Sequence, residues 1–245
     1  MNKLYQKSQL WFSIVFIIIY VVGASVCDAL SDIVGIRQVF TLAFLLALSL
    51  ILIIWMKKNK LLERFGLCKP KFNSNKFLFY IPLLILVSTN FWFGVRLNYS
   101  VIDSVICVLT MLAVGVVEEL VFRGLLFRAL EKDNLIRAII ISSVTFGMGH
   151  IVNLISGGYE NLLPCICQVF YAMAVGLLFV IMFYKGGSII ACIITHSLVN
   201  AFSVFQNVNA ITPLIQIFIS LAIILVSVIY TLILCKTLTP TKKET

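Results

Sequence analysis

The amino-acid sequence predicts an all-α fold, that of a polytopic membrane protein with about eight transmembrane helices. Hydrophobic residues make up 61% of the 245 residues and charged residues only 12%, whereas a soluble domain has about 45–50% and about 25%. The mean hydropathy is +1.09, and the apolar residues fall into runs of transmembrane length. These observations exclude a soluble enzyme, a secreted disulfide-stabilised scaffold and a disordered chain.

Eight hydrophobic runs are predicted to span the membrane, because a hydrocarbon core about 30 Å thick needs about 20 apolar helical residues. In chain order they cover residues 10–26, 39–56, 77–95, 104–122, 135–152, 162–184, 188–205 and 213–234. The first run follows Lys3 and Lys7 and is long for the apolar part of a secretory signal, so we interpret it as an uncleaved signal anchor. No soluble domain is expected between the runs.

Basic residues are predicted to lie mainly on one side of the membrane. The connection between the second and third runs carries seven of them, at positions 57, 58, 60, 64, 69, 71 and 76. If both termini are cytoplasmic, the other side has only Arg37 and Arg96, which is the positive-inside pattern. The net charge of +9 then reflects topology and anionic lipid. We therefore expect a multi-pass protein of the cell membrane whose partner is the lipid bilayer and not a nucleic acid.

The same basic connection contains a hydrophobic pattern. Leu61, Leu62, Phe65 and Leu67 are spaced as on one face of a helix. The pattern predicts a short amphipathic helix that lies in the cytoplasmic interface among the basic residues.

Two acids and both histidines lie within the predicted spans, where ionisable groups are costly and usually functional. Glu118 and Glu119 are adjacent in the fourth span, and the two histidines of the chain, His150 and His196, lie in the fifth and seventh. If the fourth and fifth spans turn near residue 133, Glu118 and His150 both lie roughly 22–24 Å up their helices and can face each other. His196 meets them only if the turn at residues 186–187 sits deeper in the membrane.

Helical spacing places other residues one turn from this group. The i,i+4 spacing lets Glu119 pair with Arg123 on one face, and it presents Asn200 together with His196. Phe146 lies one turn before His150 on the same helix face. Close approach of neighbouring helices is expected at Gly147 and Gly149.

Two kinds of chemistry are open to such a group. A carboxylate beside a histidine can hold and deprotonate a water molecule, and a second histidine with an asparagine can donate hydrogen bonds to a developing oxyanion. Alternatively, Glu118, His150 and His196 supply three ligands to a divalent metal such as zinc, which polarises the water. The HExxH pattern is absent, so the ordinary zincin arrangement is excluded.

These stretches resemble the signature of the CPBP family, the CAAX-protease and bacteriocin-processing group of intramembrane proteases, also called the Abi family. Its motifs EExxxR, FxxxH and HxxxN or HxxxB occur in that order in three separate spans. The matching residues are Glu118, Glu119, Arg123, Phe146, His150, His196 and Asn200. The resemblance covers residues 103–205 and implies an eight-helix endopeptidase with an intramembrane catalytic core.

The resemblance also implies roles for these residues. Glu118 with His150 would activate the attacking water, and His196 with Asn200 would stabilise the oxyanion. Glu119, Arg123 and Phe146 would support the site. Family members are described both as metalloproteases and as glutamate-dependent proteases, and the sequence leaves that choice open.

The resemblance predicts the organisation of the chain and its partners. Residues 1–102 would be N-terminal transmembrane helices with a basic interfacial segment, 103–205 the catalytic core, and 206–245 a C-terminal helix with a basic tail. The chain looks like a bacterial member acting on a membrane-associated peptide or protein. Two alternatives stay open at this point: a non-catalytic peptide-binding or bacteriocin-immunity protein, and a proton or cation transporter.

Overall fold

The computed structural model describes residues 1–152 and 162–238. Those residues are mostly helical and form no strand, which confirms the predicted all-α polytopic membrane fold. The helices are α1 (Asn2–Lys7), α2 (Gln9–Val34), α3 (Val39–Lys58), α4 (Ile81–Ser88), α5 (Val101–Glu118), α6 (Arg128–Leu130), α7 (Leu135–Gly149), α8 (Leu162–Gly186), α9 (Ile190–Ser203) and α10 (Pro213–Thr237).

Seven of the eight predicted runs correspond to apolar helices. Five are long enough to cross a membrane in the described part of the chain: α2, α3, the continuous helix Val101–Leu130, α8 and α10. α7 and α9 are shorter, with 15 and 14 residues. The continuous helix joins α5 to α6 through a π-helical segment, Glu119–Phe127, hereafter the π segment. Wide π turns of this kind are often found at functional sites.

The prediction of one continuous span over residues 77–95 is wrong. Leu78, Phe79 and Tyr80 have left-handed backbone conformations, and the eight-residue α4 begins only after them. Eight residues rise about 12 Å, too short for a hydrocarbon core of about 30 Å. Pro82 in the first turn of α4 cannot donate to a preceding turn. Hydropathy missed the break because it counts apolar residues and does not register backbone conformation.

After α4 the third run continues as a short 3₁₀ helix, Thr89–Phe91, followed by a turn. The side-chain amide of Asn90 donates to the Val199 carbonyl on α9, over 2.8 Å. Further on, Val95 pairs with Gln206 in an isolated antiparallel bridge. The broken run is therefore attached to α9 and to the segment that follows it.

The predicted amphipathic helix at residues 61–67 is also wrong, because the segment forms successive turns. Its Phe65 side chain is only 1% exposed and belongs to the main hydrophobic cluster. Gly66 has a left-handed φ of +79° and accepts a hydrogen bond from the Ile189 amide at 2.9 Å. The segment thus packs onto the turn between α8 and α9.

Glycines allow the helices around the site to approach closely. A Cβ on Gly115 of α5 would lie 2.4 Å from the Ser197 hydroxyl oxygen on α9, and one on Gly147 of α7 would lie 2.3 Å from Met173 Cγ on α8. The close approach predicted at Gly147 is thus confirmed. At Gly149 a Cβ would meet no heavy atom of the described residues within 4 Å, so the close approach predicted there stays a prediction.

Candidate active site

Both acidic residues of the first motif are buried at the junction of α5 and the π segment. Glu119 and Arg123 are fully buried and form the predicted i,i+4 pair, with Arg123 Nη1 2.9 Å from Glu119 Oε1. The N–H of that contact is not aligned for a hydrogen bond, so the pairing is mainly electrostatic. Buried charges are tolerated only when they are paired, which makes Glu119 and Arg123 one unit.

His196 on α9 lies between the two carboxylates. Its Nδ1 is 2.8 Å from Glu119 Oε1, and its Nε2 is 3.3 Å from Glu118 Oε2. The imidazole is 7% exposed. The Nδ1 contact is within hydrogen-bond distance, whereas Glu118 Oε2 has no hydrogen-bond partner among the described residues.

Phe146 on α7 links the charged residues by its ring. The guanidinium carbon of Arg123 lies 3.9 Å from the ring centroid, which is close cation–π geometry. His150 and His196 both pack edge-on against the same ring, at centroid distances of 5.4 and 5.5 Å. The phenylalanine of the second motif therefore joins the residues of all three motifs.

A cavity of about 470 Å³ adjoins this group. Its wall includes His150, His196 and Asn200, and also Thr89 and Asn90 from the broken third run. Among the described residues the remaining wall is largely apolar, with neutral polar side chains and no acidic or basic residue other than the histidines. A volume of this order lies within the usual range for ligand pockets, about 300–1,000 Å³.

Glu118 is not among the described residues that line this cavity. It contacts His196, which does line it, and no hydrogen bond or ion pair joins Glu118 to His150 among the described contacts. Among the described contacts, Glu118 is linked to His150 through His196 and the Phe146 ring that both histidines pack against.

His196 reaches both carboxylates of the first motif. Residues 186–189, which form the turn before α9, are buried beneath the basic connection. The Ser188 hydroxyl donates to the Cys68 carbonyl at 2.6 Å, and the Lys71 amide donates to the Gly186 carbonyl at 2.8 Å. Because this turn lies inside the protein, the histidine only a few residues along α9 reaches the level of the carboxylates.

Sequence reasoning missed one residue of the site. The Tyr20 hydroxyl on α2 donates to Glu118 Oε1 over 2.5 Å. The two residues are 98 positions apart, and a tyrosine in an apolar run follows no motif or helical spacing that links it to Glu118. The link between Tyr20 and Glu118 is visible only once the helices are packed together.

The predicted metal ligands do not converge on a common point. Among residues 1–152 and 162–238, no group of three or more His, Cys, Asp or Glu side chains is arranged to hold a metal ion. Both nitrogens of His196 face carboxylates, and Glu118 Oε1 receives the Tyr20 hydroxyl. This arrangement does not fit the ligand set Glu118, His150 and His196, and none of the steps proposed below passes through a metal.

Comparison with known proteins supports the resemblance. Residues 100–202 match the family model of type II CAAX prenyl endopeptidase Rce1-like proteins. The matched segment contains all three motifs, and the resemblance to the CPBP and CAAX-protease group is confirmed over it. No curated protein and no solved structure matches the chain.

Proposed function

We propose that this protein is an intramembrane endopeptidase that hydrolyses a membrane-associated peptide or protein. The observation that carries the proposal is the cavity between apolar helices whose wall holds His150, His196 and Asn200, with Glu118 in contact with His196. Ionisable residues placed this deep in a membrane protein are costly and usually functional. The Rce1-like match over residues 100–202 agrees with a protease.

In the proposed reaction, a water molecule in the cavity is held by His150 and attacks the scissile carbonyl carbon. Its proton passes to Glu118 through His196, which lines the cavity and lies against Glu118 Oε2. Of the two oxygens of Glu118, Oε1 is engaged by Tyr20, whereas Oε2 is buried without an aligned donor among the described residues. Oε2 is therefore the proton acceptor. The proton is later delivered to the leaving amine as the C–N bond breaks, so that the carboxylate is restored.

The negative charge that develops on the carbonyl oxygen needs donors in the cavity wall. The side-chain amide of Asn200 is the candidate, since it lies on that wall, whereas both ring nitrogens of His196 face carboxylates. Removing one such donor costs about 10²–10³ in turnover in enzymes with an oxyanion hole. The Glu119–Arg123 pair keeps His196 in place, because Glu119 Oε1 contacts both partners.

The experiment uses purified protein in liposomes and a library of fluorogenic, internally quenched apolar peptides. Glu118→Ala, His150→Ala and His196→Ala should each abolish cleavage while the protein still inserts. The exposed Glu63 provides a matched control, and Glu63→Ala should cleave like the wild type. If all three site variants cleave normally, the protein is not this enzyme.

A comparison of membrane proteomes then identifies the substrate in cells. Cells with Glu118→Ala protein should accumulate an uncut precursor that wild-type cells process. A biological effect that survives Glu118→Ala would instead indicate a binding or immunity protein, and ion uptake by the liposomes would indicate a transporter.

A further inference from the structure

The structure joins Glu118 to a residue outside the matched segment. Tyr20 lies on α2, far from residues 100–202. Its hydroxyl donates to Glu118 Oε1 over 2.5 Å. No motif of the sequence includes Tyr20, so its contribution rests on geometry alone.

The helix that carries Tyr20 holds it firmly against the site. Phe12 and Phe16 are 1% and 6% exposed, and Tyr20 continues their i,i+4 series along the same face. This face of α2 packs against α3 and against the π segment that begins at Glu119. The phenol ring is thus presented from a packed helix and not from a loop.

The two oxygens of Glu118 have different surroundings. Oε1 accepts the hydrogen bond from Tyr20, and Oε2 lies 3.3 Å from His196 Nε2. A carboxylate held at one oxygen by a fixed donor cannot rotate freely about its last side-chain bond. Hydrogen bonds to charged groups are also stronger than neutral ones.

We propose that Tyr20 is a positioning residue for Glu118, which holds Oε1 and thereby directs Oε2 toward His196 and the reacting water. The inference rests on the proposed endopeptidase function. Tyr20 itself exchanges no proton in the reaction, because its hydroxyl remains the donor throughout. The active site then includes a helix from the N-terminal part of the chain that the family match does not cover.

Tyr230 provides a matched control. Its hydroxyl donates to the Phe77 carbonyl over 2.6 Å, and its side chain is 1% exposed. Tyr20→Phe and Tyr230→Phe therefore each remove one hydroxyl and one short hydrogen bond. Only the first of these bonds reaches a carboxylate of the site.

The experiment measures cleavage of the library peptide that the wild type cuts fastest, together with thermal unfolding in the same detergent. Tyr20→Phe should lower kcat about 10- to 100-fold, the effect expected for losing one hydrogen bond to a charged group, with KM within twofold of wild type. Tyr230→Phe should keep the kcat of the folded protein even where it lowers Tm. Incorporation of p-aminophenylalanine at position 20, which restores an N–H donor of similar shape, should recover most of the turnover.

Several outcomes overturn the inference. The inference is contradicted if kcat for Tyr20→Phe is within twofold of wild type. It is also contradicted if Tyr20→Phe and Tyr230→Phe lower kcat equally. Failure of p-aminophenylalanine to recover turnover also contradicts the inference, because a restored donor should again hold Glu118 Oε1. If the wild type cleaves no peptide of the library, the proposed function fails and the Tyr20 assignment fails with it, whereas an active wild type with a normal Tyr20→Phe variant overturns only the latter.

Discussion

At the scale of single residues, His196 is the point where the two carboxylates of the first motif meet. Glu119 holds one ring nitrogen and Glu118 contacts the other. The orientation of the ring therefore depends on Glu119, whose charge is balanced by Arg123. Breaking a buried ion pair is costly, because it leaves one charge without a partner in a medium of low dielectric constant.

The first prediction compares two glutamates that differ in burial. Glu119→Gln removes the charge of a fully buried pair and leaves Arg123 uncompensated, so the free energy of unfolding should fall by about 3–5 kcal/mol. Glu131 forms a partly exposed pair with Arg128, and Glu131→Gln should cost about 1 kcal/mol or less. Denaturant titration of the purified protein in micelles measures both. Equal losses for the two variants would contradict the role given to the buried pair.

At the scale of elements, the turn between α8 and α9 determines where His196 lies. That turn is covered by residues 65–71 of the basic connection, through the Gly66 carbonyl and the Cys68 carbonyl. Farther along α9, the absence of a side chain at Gly115 lets Ser197 approach α5. The position of the histidine is thus set by contacts with the turn before α9 and with α5.

The second prediction compares two glycines with nearly the same backbone conformation. Gly35 and Gly66 have φ of +78° and +79°, but a Cβ would meet no described atom at Gly35 and would lie 2.4 Å from Phe183 Cε2 at Gly66. Gly35→Ala should cost only the left-handed strain of about 1–2 kcal/mol and keep full turnover. Gly66→Ala should add an overpacking cost of about 1–3 kcal/mol.

Turnover distinguishes the two variants further. Because Gly66→Ala shifts the turn that leads into α9, we expect peptide cleavage to fall by up to about 10²-fold, the loss that a misplacement of about 1 Å can cause. Unfolding and cleavage are measured on the same preparations. A Gly66→Ala protein that is destabilised and yet cleaves at the wild-type rate would show that this turn does not position the site.

At the scale of the whole molecule, the segments that connect the helices contact one another in two groups, one at each end of the helices. At one end, the Arg128 side chain donates to the Arg64 carbonyl. At the same end, the Lys185 side chain donates to the Leu238 carbonyl just after α10. The opposite end joins Arg37 to Tyr99. The broken third run therefore still carries the chain from one end to the other, although it is not one transmembrane helix. The end with most basic residues is the one predicted to be cytoplasmic.

The third prediction tests this orientation by labelling in intact cells. Arg37 and Lys58 are both exposed and lie at opposite ends of α3 and its preceding turn. In a background with the seven native cysteines replaced by alanine, Arg37→Cys should react with a membrane-impermeant maleimide. Lys58→Cys should react only after the membrane is opened. The reverse pattern would place both termini outside the cytoplasm.

Local patterns in the sequence are enough for several of these features. The apolar runs predict the class of fold, and the i,i+4 spacing predicts that Glu119 pairs with Arg123, because both depend on residues close together in the chain. The same local methods fail near Pro82, where an apolar run is interrupted before α4. They also fail at Phe65, which is apolar because it lies buried in a turn. Hydropathy cannot distinguish these from a span or an interfacial helix.

The sequence by itself determined that this is an α-helical membrane protein whose few buried charges belong to one group. Only the tertiary structure decided which atoms of that group meet: His196 between two carboxylates, Glu118 against Tyr20, and His150 joined to them by Phe146. The physical reason is range. Periodicity and burial preference act over one or two helical turns, whereas these contacts join helices as far as 98 residues apart and depend on where glycines and buried turns let the helices pack.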